Sequence, residues 1–376
     1  MAEVVTQAPA EELRQAQSAH DPALTNCLAP PQNADELGRL GKYRVLKIIG
    51  HGGMGVVYKA EDAVLKRMVA LKAILPALGA GEQMRKRFIR EARAMAVLEH
   101  ENVVRLYDVN EDRGISFIAM ELLAGETLEA RLKRGAPQLK EAIQISRAVA
   151  SGLAAAHLQN LIHRDIKPAN IFLVADGTRI KILDFGLARA DSEDSRLTAS
   201  GAILGTPAYM SPEQSRGEQV DFRSDLFSLG VVLYRLSTGK EPFAKADALS
   251  TMVAIATEEP ATPQMQNFEL PGELSDLIMQ LLDKDPSKRG TAQDVVAALN
   301  LIEKGEPLPA RPASPTLTPP DDVDTQWQDV ATVESKPKKK TQQKARPFPW
   351  PIVVVVAVVL SICLCSGIAS LAYFLS

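Results

Sequence analysis

The sequence predicts an α+β fold followed by one helix long enough to span a membrane. Two observations predict the mixture of strands and helices. Apolar runs flank glycine-containing turns near residues 52 and 177, and apolar residues with helical spacing follow Gly81. A third observation predicts the membrane span, because residues 352–375 are uncharged and consist mainly of Val, Ile, Leu and Ala.

The composition excludes some classes of protein without selecting one. The 376 residues carry a net charge of −3, which gives no sign of nucleic-acid binding. Only three cysteines occur, so we expect no disulfide framework, in agreement with a reducing cytoplasm. The length allows one folded domain of ordinary size with a tail at each end.

A hairpin is predicted around residues 176–177, because an Asp-Gly pair between two apolar runs is a strong signal for a two-residue turn. Counting outward from this turn places Asn170 opposite Leu183. Asp184 then lies beside Asn170 at the open end, and Asp165 lies on the entering loop. An amide oxygen and a carboxylate there can share a hard cation such as Mg²⁺. Alternatively, His163 and Asp165 only cap a turn, and Phe185 and Gly186 only end a strand.

A glycine-rich motif lies between two apolar runs at residues 49–58. Because residues 56–60 continue as a strand, the motif predicts a strand-loop-strand flap rather than the strand-to-helix turn of a Rossmann domain. Its glycines let backbone N–H groups approach phosphate oxygens, although an ordinary glycine hairpin is the alternative for the motif alone. The motif comprises Ile49, Gly50, His51, Gly52, Gly53, Met54 and Gly55, and Val57 follows it.

An ammonium and a carboxylate are predicted to meet inside the fold. Lys72 lies in an apolar strand and shares one face with Ala70. Glu91 belongs to an apolar helical stripe that includes Phe88 and Met95. Since each buried charge costs several kcal/mol unless it is paired, we expect Lys72 to contact Glu91. A lysine that reaches solvent and an exposed glutamate are the alternative.

Two motifs carry a resemblance to a known family. Residues 163–170 read His-Arg-Asp-Ile-Lys-Pro-Ala-Asn, and residues 184–186 read Asp-Phe-Gly. They resemble, residue for residue, the catalytic loop and the metal-binding segment of the eukaryotic-type protein kinases. Residues 205–213 resemble the end of the activation segment of that family. Lys167 and Thr206 follow the pattern of its serine/threonine kinases, and the residues of the motifs at 52–58 and 163–170 are most similar to its bacterial branch.

This resemblance implies the two-lobed protein-kinase fold, with a small β-rich N-lobe that contains one key helix and a larger, mainly α-helical C-lobe. We place the kinase domain at residues 43–303, with the N-lobe at 43–123 and the C-lobe at 124–303. The implied activity is transfer of the γ-phosphoryl group of ATP to Ser or Thr hydroxyls of proteins, with Mg²⁺ bound at the phosphates.

The resemblance also implies a role for each site residue. Asp165 would accept or orient the proton of the substrate hydroxyl, and Lys167 would neutralise charge on the transferred group. Lys72, paired with Glu91, would hold the α- and β-phosphates. The metal ligands would be Asn170 and Asp184. The flap residues 49–55 would help to position ATP, and the adenine would lie between apolar walls that include Ala70 and Val57. Met120 would control the back of that pocket, and the hinge from Glu121 to Leu123 would present backbone groups to the base.

Structural residues follow from the same resemblance. Asp225 would anchor the backbone of the catalytic loop, and Glu213 would pair with Arg289 inside the C-lobe. The chain departs mildly from the family pattern at Ser211, where Ala is usual, and at Gly290, where Pro is common.

Regulation is expected in the hydroxyl-rich segment between Asp184 and Glu213. Arg164 is the cation that in many family members pairs with a phosphorylated activation loop. Thr198 and Ser200 are the candidate phosphorylation sites, with Thr198 slightly ahead. Solvated loop residues without modification are the alternative.

Both ends of the chain lie outside the resemblance. Residues 1–40 predict a disordered arm, and the nine prolines and basic end of residues 305–350 predict a linker. Residues 351–375 predict a transmembrane helix, because at about 1.5 Å per residue such a run crosses a hydrocarbon core of about 30 Å. Lysines and an arginine before it predict a single-pass protein with its kinase domain in the cytoplasm.

We therefore expect an enzyme with protein substrates, membrane attachment and transient self-association during phosphorylation of one copy by another. A membrane-tethered nucleotide-binding pseudokinase or scaffold is the alternative, which the complete set of site residues disfavours. A small-molecule or lipid kinase is disfavoured by the protein-substrate segment at residues 205–213.

Overall fold

The computed structural model describes residues 22–52, 55–74, 82–175, 177, 179–185 and 207–308, with the backbone alone for residues 22, 23 and 82–87. Predictions for the flap tip at 53–54, for Thr198 and Ser200, and for the span at 351–375 lie outside the described residues. No helix within the described ranges is long and apolar enough to cross a membrane.

The smaller lobe is a six-stranded antiparallel sheet with a long helix packed on its β5–β6 side. The strand order is β1-β2-β3-β4-β6-β5. Its strands are β1 (Gly38–Leu40), β2 (Tyr43–Gly52), β3 (Gly55–Asp62), β4 (Arg67–Ala73), β5 (Leu106–Asp112) and β6 (Ile115–Glu121). Its helices are α1 (Pro22–Thr25) and α2 (Glu82–Met95), of which α2 is the predicted helix.

The two faces of this sheet belong to different apolar clusters, because side chains alternate along each strand. Ala70 and Met120 are opposite each other and join the large cluster that continues into the other lobe. Val69 and Leu71 join a second cluster that is confined to the smaller lobe. Lys72 therefore shares the face of Ala70, as the alternation predicts.

The N-terminal arm differs from its prediction. The expectation of disorder over residues 1–40 is wrong for residues 22–40, which form α1 and β1 and extend the sheet at its edge. Leu28 is buried in the smaller cluster, and the Tyr58 hydroxyl donates to the Leu24 carbonyl oxygen at 2.5 Å. Residues 1–21 lie outside the described part of the chain.

The larger lobe contains a small three-stranded sheet and is otherwise helical. The sheet has the order β7-β8-β9, with β7 (Gly125–Thr127), β8 (Ile171–Val174) and β9 (Ile180–Ile182). The helices are α3 (Leu128–Leu132), α4 (Leu139–His157), α5 (Pro212–Arg216), α6 (Arg223–Thr238), α7 (Ala248–Thr257), α8 (Pro263–Gln266), α9 (Gly272–Leu281) and α10 (Ala292–Lys304). Short 3₁₀ turns lie at Pro168–Asn170, Pro207–Tyr209 and Pro286–Lys288.

The long helix α6 forms the centre of this lobe. Its residues from Ser224 to Tyr234 are all buried, because α4 and α9 pack against it. A helix that is covered on all sides needs partners for its polar groups, and Asp225 and Ser228 both make hydrogen bonds inside the lobe. The catalytic loop is attached to this helix.

Candidate active site

The hairpin between β8 and β9 has the register that its turn predicts. Ile171 pairs with Ile182, and the Leu183 N–H donates to the Asn170 carbonyl oxygen at 2.8 Å. Asn170 is therefore opposite Leu183, and Asp184 follows directly at the open end. The prediction that one hairpin brings Asn170 and Asp184 to the same end of the sheet is confirmed.

Asp165 is held by two side chains from its own loop. Its Oδ2 accepts a hydrogen bond from Lys167 Nζ at 2.7 Å and one from Asn170 Nδ2 at 3.1 Å. Asn170 Nδ2 also donates to the Asp165 carbonyl oxygen at 2.8 Å. Among the described residues, none donates to Asp165 Oδ1. Within this part of the chain, the second carboxylate oxygen can accept a proton from a bound hydroxyl group.

His163 connects this loop to the hairpin. It is completely buried, and its Nε2 lies 2.8 Å from the Leu183 carbonyl oxygen, while its Nδ1 accepts the Asp165 N–H at 3.2 Å. Because a carbonyl oxygen can only accept, Nε2 carries the proton and Nδ1 does not. Sequence reasoning assigned no role to His163 beyond membership of the motif, since only the folded hairpin reveals its second partner.

The loop backbone is also anchored from α6. Asp225 is completely buried and accepts hydrogen bonds from the N–H groups of His163 at 2.8 Å and Arg164 at 2.7 Å. Its Oδ2 also lies 2.9 Å from His157 Nε2. Arg164 has a φ of 65°, a left-handed conformation that is strained for a residue with a side chain. The expected anchoring of the loop by Asp225 agrees with this geometry.

Lys72 reaches across the cleft to the metal-binding segment. Its Nζ lies 2.7 Å from Asp184 Oδ1. Burial alone would raise the pKa of Asp184, but the adjacent Lys72 ammonium, with a smaller contribution from Lys167, lowers it below the ordinary value. The carboxylate is therefore ionised at neutral pH. The contact between Lys72 and Glu91 stays a prediction.

The flap is the strand-loop-strand structure that the glycine motif predicts, since Gly52 pairs with Gly55 at the ends of β2 and β3. Its glycines have two different reasons to be present. A Cβ added at Gly55, where φ is 149°, would lie 2.0 Å from the Ala73 carbonyl oxygen. Among the described residues, a Cβ at Gly52 would meet nothing within 4 Å. Gly55 thus serves backbone packing, whereas no described atom crowds the position of a side chain at Gly52.

Apolar side chains and one strand end surround the predicted adenine pocket. Ala70 and Met120 are 7% and 8% exposed and lie directly opposite each other, and Ile49 on the flap is 38% exposed. Leu123 follows β6 and packs partly buried against the large cluster. Glu121, which ends β6, forms an ion pair at 3.0 Å with Lys181 of β9. Sequence reasoning missed Lys181, because a lysine in a short apolar strand gives no signal of its partner.

Below the cleft, Glu213 and Arg289 form the expected ion pair. Arg289 Nη1 and Nη2 contact the two Glu213 carboxylate oxygens at 2.7 and 3.0 Å. Burial opposes ionisation of Glu213, but Arg289 and the Ser224 hydroxyl group keep its pKa lowered. Gln214 Nε2, one residue further on, donates to the Arg164 carbonyl oxygen at 2.8 Å. The end of the activation segment is thereby attached to the catalytic loop.

This fold and this arrangement agree with the comparisons with known proteins. The family model described as the protein kinase domain matches residues 43–299. The chain belongs to the protein kinase family. Its kinase domain is 38% identical over 259 residues to the serine/threonine-protein kinase PrkC of Bacillus subtilis. The aligned residues make up 68% of this chain and 40% of that protein.

Further relatives are also bacterial serine/threonine-protein kinases. The kinase pkn2 of Myxococcus xanthus is 41% identical over 264 residues, which cover 68% of this chain and 31% of that protein. The crystal structure of the PknI kinase domain of Mycobacterium tuberculosis superimposes with a TM-score of 0.57 at 27% identity, covering 70% of this chain and 96% of that domain. The chain thus spans less than half the length of the curated relatives named here, whereas it covers 96% of that solved kinase domain.

Protein kinases use ATP and Mg²⁺, and the residues present fit both. Because Asn170 uses its Nδ2 to bind Asp165, its amide oxygen remains available, and Asp184 supplies an ionised carboxylate. Both are the hard oxygen donors that Mg²⁺ prefers. Within the described residues no group of three or more His, Cys, Asp or Glu could hold a metal by itself. Two protein ligands suit a Mg²⁺ ion that takes its remaining ligands from phosphate and water.

Proposed function

We propose that this chain is an ATP-dependent serine/threonine protein kinase that is tethered to a membrane and activated by phosphorylation of its own activation loop. The observation that carries the proposal is the pair of contacts on either side of the reaction centre. Asp165 is fixed by Lys167 at 2.7 Å, and Asp184 is fixed by Lys72 at 2.7 Å. Family membership supports the same reaction.

The residues of the loop would act on the substrate hydroxyl group. Asp165 Oδ1 accepts its proton or orients it, while His163 and Asp225 keep the loop in place. Lys167 neutralises the negative charge that develops on the transferred phosphoryl group, and it can move from Asp165 to that group because its side chain is 29% exposed.

The residues across the cleft would bind the nucleotide. The flap covers the phosphates with backbone N–H groups, and Lys72 exchanges part of its contact with Asp184 for the phosphate oxygens. Asn170 and Asp184 would hold Mg²⁺. When bound, the ion would supply positive charge that offsets the negative charge of the phosphates. The adenine would lie between apolar walls that include Ala70 and Val57 and would contact the backbone at Glu121 and Leu123.

Phosphate incorporation by the full-length chain in detergent micelles tests the activity. With ATP, Mg²⁺ and a generic serine/threonine substrate, Asp165→Asn should lower the rate by roughly 10²- to 10⁴-fold, the contribution of a positioned general base. Asp276→Asn, the same change at an exposed position of α9, should leave the rate unchanged. A parent protein that binds ATP but transfers no phosphate would instead support the scaffold alternative.

Activation is proposed to proceed through Thr198 or Ser200. The position of Arg164 supports this proposal. Its N–H is bound by Asp225 and its carbonyl oxygen by Gln214, so a phosphate that pairs with this residue would act directly beside Asp165. Mass spectrometry should find phosphate on Thr198 or Ser200 in the parent and none in Asp165→Asn. An incorporation rate that rises with the square of protein concentration would indicate phosphorylation of one copy by another.

Membrane tethering is proposed from the sequence of residues 351–375. The basic residues before this segment favour a cytoplasmic kinase domain. Expressed in a bacterium, the full-length chain should sediment with membranes and resist extraction by carbonate, whereas a chain that ends at residue 308 should not sediment. If both forms stay in the supernatant, the tethering proposal is wrong, and the kinase proposal is unaffected.

A further inference from the structure

Lys181 is a buried charge with an unexpected pair of partners. It lies in β9, three residues before Asp184, and is 7% exposed. Its Nζ contacts Glu121 Oε2 at 3.0 Å and donates to the Val103 carbonyl oxygen at 3.1 Å. Because an apolar side chain at this buried strand position would avoid the cost of removing an ammonium from water, packing alone does not account for a lysine here.

Glu121 places its carboxylate behind the pocket rather than in it. In the ladder between β4 and β6, Met120 is opposite Ala70 on the cleft face, and Glu121 is opposite Val69 on the other face. The Glu121 N–H donates to the Arg105 carbonyl oxygen at 2.9 Å, which fixes the backbone at the end of β6. Its side chain is 23% exposed, and it reaches the larger lobe through Lys181.

The strand that carries Lys181 is held along its whole length. The Ile182 N–H donates to the Asn102 carbonyl oxygen at 2.8 Å, and the Val104 N–H donates to the Ile182 carbonyl oxygen at 3.0 Å. Asn102 Nδ2 donates to the Ile180 carbonyl oxygen at 3.0 Å. The loop after α2 therefore supports β9 from one side, and Glu121 holds it from the hinge.

Together with the Lys72–Asp184 contact, these bonds close a ring. It runs from Lys72 on β4 to Asp184, back along β9 to Lys181, across to Glu121, and through the β6–β4 ladder to Lys72 again. The hinge end of this ring would hold the adenine, and the opposite end would hold the phosphates. The ring therefore fixes the distance between the two ends of the nucleotide site.

We propose that Lys181 is a positioning residue for the nucleotide: its ion pair with Glu121 sets the spacing between the hinge and the Lys72–Asp184 contact. This inference rests on the proposed kinase function. A ligand that uses both ends of the site depends on the spacing, whereas a ligand that uses the hinge alone does not. The ratio of the affinities for Mg·ATP and for adenosine therefore reports the role of Lys181.

The test measures both dissociation constants by calorimetry on the full-length chain in micelles, with urea unfolding as a check on stability. Lys181→Met should lower the affinity for Mg·ATP by roughly 5- to 20-fold, a typical coupling between two sites, while the affinity for adenosine falls less than twofold. Lys181→Arg should restore most of the loss. Lys140→Met, the same change at an exposed position of α4, should alter neither constant.

A double-mutant cycle with Glu121→Gln assigns the effect to the pair. If the pair acts as a unit, Lys181→Met with Glu121→Gln should bind Mg·ATP no more weakly than Lys181→Met alone. Additive losses, or equal losses for Mg·ATP and adenosine, would overturn the inference and leave Lys181 a purely structural residue. Failure of the parent to bind Mg·ATP would instead refute the proposed function.

Discussion

The two lobes of the kinase domain hold their buried charges in different ways. In the larger lobe, Arg289 and Asp225 are completely buried and Glu213 is 4% exposed, and their partners lie inside the lobe. In the smaller lobe, the buried carboxylate of Glu36 is bound by Arg44, whose side chain is 19% exposed. Arg44 also contacts Asp35, which is 70% exposed.

This difference makes the larger lobe a rigid platform, whereas the smaller lobe can rearrange its ion pairs. A buried bidentate pair has one acceptable geometry, and losing either partner leaves an unpaired charge. Pairs that reach solvent can exchange protein partners for water at little cost. The catalytic loop is attached to the platform through Asp225, whereas the flap belongs to the lobe with the exchangeable pairs. The comparison can be tested in each lobe separately.

The largest effect on stability is expected for Arg289→Met. It leaves the Glu213 carboxylate buried without its bidentate partner, which should lower the free energy of unfolding by about 3–5 kcal/mol in urea denaturation. Adding Glu213→Gln should recover part of the loss, since no buried charge then remains. Arg105→Met breaks an ion pair whose side chains are 58% and 67% exposed, and it should cost less than about 1 kcal/mol. A small effect of Arg289→Met would remove the distinction between the lobes.

Two glycines of the flap provide a matched pair in the smaller lobe. Gly55→Ala places a Cβ 2.0 Å from the Ala73 carbonyl oxygen at a φ of 149°, and should cost about 2–4 kcal/mol of unfolding free energy. Gly52→Ala meets no atom of the described part of the chain and should change stability by less than about 0.5 kcal/mol. Equal effects from the two variants would contradict the assignment of packing to Gly55.

Because of the contacts of Glu36, we expect the packing of the N-terminal segment on the smaller lobe to weaken in acid. Backbone N–H donation from Gln32, aided by Arg44 and Arg39 and opposed by burial, lowers the pKa of Glu36 from 4.5 to about 2. Because the folded-state pKa is the lower one, this group stabilises the fold above pH 4.5, and that contribution is lost as the pH falls toward 2. The stability difference between the parent and Glu36→Gln should shrink over this range in thermal unfolding. A constant difference would mean that Glu36 has the same pKa in the folded and the unfolded chain.

Lys284 is the exception among the buried charges of the larger lobe. We expect its titration to have the smallest of these effects on the free energy of unfolding, and only at alkaline pH. Its Nζ is buried with no hydrogen-bond acceptor among the described residues, and it lies 3.9 Å from the centre of the Phe243 ring. Burial lowers the pKa of Lys284 from 10.5 to about 8, against an opposing attraction to Glu259. The unfolded chain binds more protons between these values, so stability should rise with pH from 8 to 10.5 on account of this group.

The comparison of the parent with Lys284→Met isolates that effect. Other groups titrate in the same range, but they are common to both proteins. The variant should gain stability relative to the parent below pH 8 and lose that advantage toward pH 10.5 in urea unfolding series. If the difference does not change with pH, Lys284 keeps an ordinary pKa through its contact with the ring.

Local patterns were sufficient for some elements and not for others. The turn at 176–177 fixed the register that places Asn170 opposite Leu183, because hairpin geometry depends on adjacent residues. The resemblance to protein kinases was enough to pair Glu213 with Arg289, although 76 positions separate them. Order in residues 22–40 was missed because their partners, such as Tyr58 and Arg113, lie far along the chain.

The contacts of charged residues in the cleft could be predicted only in part from the sequence, for the same reason. Alternation along β4 correctly placed Lys72 on the face of Ala70, but the pattern could not show that Asp184 would be its contact at 2.7 Å. Lys181 lies in the larger lobe and Glu121 in the smaller lobe, and only the packing of the two lobes brings them together. Pairing of charged groups across a cleft depends on the assembled fold, which single-strand patterns do not contain.

Strand β1 has a practical consequence for handling this kinase domain. It has only three residues, yet it covers the outer edge of β2 from Val45 back to Tyr43. An uncovered edge strand offers free N–H and C=O groups to the sheets of other molecules. A fragment that begins at Tyr43, where the family match begins, would expose that edge and the apolar surface under Leu28, and should aggregate more readily than one that begins at Pro22.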